Sequence, residues 1–134
     1  MYQGWVNYET WNAALWMGND EAAYNATMNQ IVFNVTQQHK KGAADYAEAL
    51  QRVAARHFNG KTPDGVVLTD ARSKVDWGDI VDYYKDDIKT LETEWLDLIG
   101  QLATNATGGF IGILDAASDF RNKHKYGVNK GATP

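Results

Sequence analysis

The chain has 134 residues, 44% of them hydrophobic, which fits one domain with a core of its own. It has no cysteine, no apolar run long enough to span a bilayer, and no basic-then-apolar leader. Disulfide frameworks, thiolate metal sites, membrane helices and secretion are therefore not expected, and a net charge of −4 argues against general nucleic-acid binding.

Met1–Trp5 reads as a short lead-in, with Trp5 against the first helix. Val6–Glu21 reads as a complete short helical unit. Asn7 is its N-cap, Val6 and Trp11 have the placement of a hydrophobic staple, and Glu9 meets the positive helix end. Gly18 ends it. Tyr8, Trp11, Asn12, Leu15 and Trp16 recur at i, i+3, i+4, i+7 and i+8, so they share one face, predicted to be buried. Asn12 is the polar member of that face. A buried amide bonded to a neighbouring loop accounts for it, and an opening onto a ligand is the sharper alternative.

Asn19 or Asp20 caps a second helix joined to the first in a tight corner and running to about Lys40. Its core face is Tyr24, Met28, Ile31 and Val35; Ala22, Ala26 and Phe33 lie on another side, which suggests a central position or an oligomer contact, including a homodimer. After Gly42 a third helix is predicted from about Ala43 to Phe58, striped by Tyr46, Leu50, Val53 and His57, with Glu48 and Arg52 as an i, i+4 pair. Lys61–Lys74 is irregular. Pro63-Asp64-Gly65 is a turn, and Val66–Thr69 reads as a packed loop or short helical turn.

Asp76 caps the longest helical pattern, to about Leu102, with Trp77, Ile80, Val81, Tyr84, Ile88, Leu91 and Trp95 inward. Asn105–Gly109 is a loop. A last helix spans about Phe110–Lys123, with Phe110, Ile113, Leu114, Ala117 and Phe120 inward. Residues 124–134 read as a flexible basic tail on a helical domain of residues 1–123.

The string Asn7-Tyr8-Glu9-Thr10-Trp11-Asn12, then Ala14-Leu15-Trp16 and Asn19-Asp20-Glu21, resembles the opening of a family of short phage and plasmid accessory proteins. In that family a Val-Asp-Trp followed by isoleucine often comes after a variable gap. Here it is Val75-Asp76-Trp77 with Ile80. The resemblance implies an accessory protein of a mobile element, acting in the cytoplasm of a bacterial cell, and it carries over no catalytic residue.

The candidate chemistry is sparse. Eight of the 17 acidic residues sit on the long helical pattern, where Asp76, Asp79, Asp82, Asp86, Asp87, Glu92, Glu94 and Asp97 face only Lys85 and Lys89. Asp79, Asp82 and Asp86 are spaced to share a helix face, and such a row can imitate phosphates and occupy a basic groove; a solvated outer face is the bland alternative. His39, His57 and His124 lack metal-ligand spacing, so no metal or cofactor is expected. Gly108-Gly109-Phe110 precedes a helix and is better explained by packing than by anion binding. Arg121, Lys123, Lys125 and Lys130, with Tyr126, form a basic end that could touch phosphates.

The expectation is an all-α single domain of about five helices, its N-terminal corner packed on a long amphipathic helix. The expected function is non-enzymatic: binding a host protein or complex through Asp79, Asp82, Asp86 and Asp87, and inhibiting it. One alternative is a small enzyme or ligand-binding domain with a pocket at Tyr8, Trp11, Asn12 and Trp16. Another is a nucleic-acid binder through the tail.

Overall fold

Asn7 Oδ1 accepts the Thr10 N–H at 2.8 Å and starts α1, Tyr8–Asn19. Asp20 accepts the Ala23 N–H at 2.9 Å and starts α2, Glu21–Val35, so the two helices meet with a single residue between them. Asp45 caps α3, Tyr46–His57, and Asp76 caps α4, Trp77–Tyr83. α5, Lys85–Thr104, and α6, Gly109–Lys123, complete the order. The computed structural model describes residues 1–37, 45–104 and 109–127, without the side chains of 103, 104 and 109–111. Among them are six helices and no strand beyond two isolated bridges, Tyr2 with Trp5 and Lys61 with Val67. The expected all-α single domain stands, with one helix more than foreseen. The helix end at Lys40 and Lys41, the Gly42 break, the Ala43 start, His39, the 105–108 loop and Lys130 lie outside the described residues.

α2 is the axis, packed on α1, α3, α5 and α6. Its buried set is broader than the predicted face: Met28, Ile31 and Val35 are joined by Ala23, Thr27, Val32 and Asn34, while Tyr24 is half-buried and Phe33 is 46% exposed. The described α2 ends at Val35. The Thr36 N–H still bonds the Val32 carbonyl, and its hydroxyl turns back to the Phe33 carbonyl at 2.7 Å.

The single long helix is the main correction. It divides at Tyr84, which leaves helical geometry at φ −92°, ψ 6° between α4 and α5. A straight helix over both would run about 40 Å at 1.5 Å per residue. Divided, it lets α4 pack on α3 and α1 while α5 packs on α2 and α6. Trp77, Ile80, Tyr84, Ile88, Leu91 and Trp95 are all buried as predicted. Gly78 and Gly100 both lie within helices, so the division falls at neither glycine.

α1 buries a different face from the one its aromatic spacing predicts. Thr10, Asn12, Ala13 and Met17 are buried; Trp11, Leu15 and Trp16 are half-buried and Tyr8 is exposed. Small and flexible side chains let α1 sit close to α2 and α4, and the rings border that contact instead of filling it. Val6, placed for a staple, is 50% exposed, and its backbone N–H bonds Asp79. Leu114 of α6, expected inward, is 44% exposed, while Ala117 and Phe120 are buried.

The starts of α1 and α4 are tied to each other. Asn7 Nδ2 donates to the Lys74 carbonyl at 2.9 Å, and the Asp76 N–H donates to Thr10 Oγ1 at 2.9 Å. The Val6 N–H donates to Asp79 Oδ2 at 3.1 Å. Two positive helix ends are thereby brought together, and Glu9, Asp76 and Asp79 place negative charge at both.

Candidate functional site

The four aromatic-corner candidates divide between two sides of α1. Asn12 is fully buried and belongs to a polar clamp on the 60–68 loop. Its Nδ2 donates to Asp64 Oδ2 at 2.8 Å, and its Oδ1 accepts from the Thr62 hydroxyl at 2.6 Å. Trp16 Nε1 donates to the same Asp64 oxygen at 2.8 Å. The Trp16 and Asn12 donors hold the exposed Asp64 carboxyl below its ordinary value. Thr62 Oγ1 in turn accepts the Val66 N–H at 3.1 Å, and Gly65 supplies the positive φ of 91° that closes the turn. Val66 and Leu68 are thus presented to the core. Asn12 is the loop-bonded amide of the sequence analysis, closed off from solvent. Asp64 and Thr62 were missed as its partners. Pro63-Asp64-Gly65 marks the turn, but no local pattern ties it to α1.

Trp11 faces the other way. With Trp5, Tyr24, Tyr83 and Tyr84 it lines a cleft of about 360 Å³ between the lead-in, α1, the start of α2 and the α4–α5 junction. Tyr8 does not line it. Tyr8 packs edge-on to Tyr2, which in turn lies 5.0 Å from the Trp11 ring. One wall is the Trp5–Tyr83 pair, centroids 5.2 Å apart, continued by Tyr84 edge-on to Tyr83 at 5.1 Å. Tyr84 is 3% exposed, and burial, then Tyr83, Tyr24 and the Asp87 charge push its phenol up to about 12. Burial, then Tyr126, Asp87 and Tyr83 raise Tyr24 as well. Asp87 thus directs its charge towards two phenols that line the cleft, and lines it itself.

The predicted carboxylate row does not lie on one helix. Asp79 and Asp82 sit on α4, Asp86 and Asp87 in the first turn of α5, with the Tyr84 break between them. Asp79 is half-buried and committed to the Val6 N–H. Asp82 is exposed and meets Lys85 at 3.6 Å. Asp86 and Asp87 are exposed and have no cation within 4.0 Å among the described residues. The start of α5 explains carboxylates at these positions; it does not explain the rings beside Asp87.

The basic end is largely engaged. Arg121 donates to Thr36 Oγ1 at 3.1 Å and lies 5.6 Å over the Phe33 ring. Lys123 and His124 both reach Glu94, whose carboxyl they hold below its ordinary value, Lys123 first. Tyr126 exchanges two hydrogen bonds with Asn29, so residues 124–127 dock on α2 and α5 where a loose tail was expected. Residues 128–134 lie outside the described residues.

Among the described residues no helix is long and apolar enough to cross a membrane, and no group of three or more His, Asp or Glu side chains could hold a metal ion. The sequence model of a family described as a family of unknown function, DUF7249, matches residues 1–98, which span α1 to α4 and most of α5. No curated protein and no solved structure matches the chain.

Proposed function

We propose that this chain, which belongs to the family of unknown function DUF7249, is a non-enzymatic accessory protein of a mobile element. It works in the cytoplasm of a host bacterium by binding a host protein complex and blocking it. The observation that carries the reading is the α4–α5 junction. There Asp82, Asp86 and Asp87 are exposed beside Tyr83, a ring left 66% open to water. Exposed carboxylates around an exposed aromatic anchor suit a basic partner, the ring supplying contact area and the charges supplying encounter rate and selectivity. The resemblance of the α1 and Val75-Asp76-Trp77 stretches to phage and plasmid proteins supplies the cellular setting.

The test is capture from host lysate with the parent and with Asp82→Asn, Asp86→Asn and Asp87→Asn combined. One stoichiometric protein partner is expected on the parent, released by salt and lost from the triple variant. No partner, or equal capture by both, overturns the reading. Self-association has its own motive in Phe33, an exposed ring on the central helix.

A further inference from the structure

We propose that the cleft between α1 and the α4–α5 junction binds the guanidinium of an arginine side chain presented by a protein partner. Two observations carry it. The cleft is walled by five rings, Trp5, Trp11, Tyr24, Tyr83 and Tyr84, and the faces of such rings attract cations. Asp87, at its edge, has no cationic partner among the described residues. A volume of about 360 Å³ lies at the small end of ligand pockets, suited to one side chain and not to a whole cofactor.

The donor inventory selects among cations. A quaternary ammonium would use the rings but leave Asp87 without a donor. A lysine ammonium is compact and strongly hydrated, so it surrenders more on leaving water. A guanidinium is planar, stacks on a ring face, and carries five donors in a fork that matches a carboxylate. Lys85 and Lys89, the nearby cations of α5, do not fill the place: Lys85 turns to Asp82, and neither lines the cleft.

The inference rests on the interaction-protein reading only for the source of the arginine. The probe is an N-acetylated, C-amidated Gly-Arg-Gly peptide titrated into the full chain, read on the indole N–H signals of Trp5 and Trp11 by NMR. Saturable shifts of both are expected, weaker with the lysine and dimethyl-arginine peptides and weakest with choline. Asp87→Asn should weaken binding by about tenfold, the scale of a charged hydrogen bond, while Asp86→Asn changes it by less than about twofold, the residue lying off the cleft. Tyr83→Ala, an exposed position, should also weaken it, with thermal melts confirming that each variant folds. Non-saturable shifts, a parent-like Asp87→Asn, or choline binding tighter than the arginine peptide overturns the assignment. Peptide binding without any host partner would leave the cleft standing and remove the proposed function; a host partner retained by Asp87→Asn with no peptide binding would do the reverse.

Discussion

Replacing Asn12 with alanine opens the clamp from its centre. Asn12 is fully buried and Thr62 is 4% exposed, so no bulk water replaces the lost amide. The Thr62 hydroxyl loses the acceptor it holds at 2.6 Å, and an orphaned buried hydroxyl costs about 1–3 kcal/mol. The void adds up to about 1 kcal/mol, at about 24 cal/mol per Å³ over a few tens of Å³. Asp64 is exposed and keeps Trp16, so it adds no comparable loss. The total is about 1–4 kcal/mol. For a domain of this size it should lower Tm by roughly 3–15 °C. Thermal melts followed by circular dichroism measure it, and hydrogen exchange at the Val66 N–H, which depends on Thr62, should accelerate by a larger factor than exchange in α2. Asn12→Asp should behave worse at neutral pH, because it places a second carboxylate 2.8 Å from Asp64 Oδ2, and should recover as pH falls. A melt of Asn12→Ala within about 2 °C of the parent would refute the reasoning, since the burial and satisfaction of the amide would then contribute little.

Other outcomes follow from the same geometry. Tyr84 has a folded value raised to about 12 from an ordinary 10.0, so its contribution is complete below pH 10.0 and is lost as pH rises towards about 12. Tyr84→Phe should flatten that alkaline decline in denaturant titrations; an unchanged slope sinks the account. Met17→Ala should cost more than Trp11→Ala, about 2–4 against about 1–2 kcal/mol, because Met17 is enclosed and Trp11 borders a cleft. The reverse order in urea melts would return the rings to the core. Thr10→Val keeps shape but orphans the Asp76 N–H, so a loss of about 1–2 kcal/mol is expected, seen as faster exchange at Asp76. Phe33→Asp should leave the melt within about 1 kcal/mol of the parent, as an exposed site does. Any dimer seen by sedimentation should dissociate in it, and a dimer that persists removes Phe33 from the contact.

Much of the fold is written in local chemistry. Asn7, Asp20 and Asp76 each accept from the residue three positions on, as their cap positions predict. The inward residues from Trp77 to Trp95 could be read because their spacing survives the break at Tyr84. The break itself could not, since Val81-Asp82-Tyr83-Tyr84-Lys85 carries no glycine or proline, and it is the competing demands of α3 and α2 that bend the chain there. The α1 face was misjudged for a related reason. Ring size ranks Trp11 and Trp16 above Thr10 and Ala13, but close helix approach favours the small residues. The cleft was half legible. Trp11 was noted, but Trp5, Tyr24 and Tyr83 come from separate elements that only the tertiary structure assembles.

The bonds joining the starts of α1 and α4 have a consequence for how the chain can change length. They close a loop between Thr10 and Asp76, and the entropy of closing a loop grows only logarithmically, about 0.6 kcal/mol for each doubling. Residues inserted between α2 and α3, or in the 69–74 stretch, therefore tax the joint lightly, provided the core helices keep their contacts. The joint has no such tolerance in composition. Valine at position 10 strands the Asp76 amide, and asparagine at position 79 weakens the acceptor for the Val6 amide. A chain built this way can vary the distance between its Asn7–Asn12 and Val75–Trp77 stretches at little cost, while the hydroxyl at position 10 stays tied to the Asp76 amide it accepts.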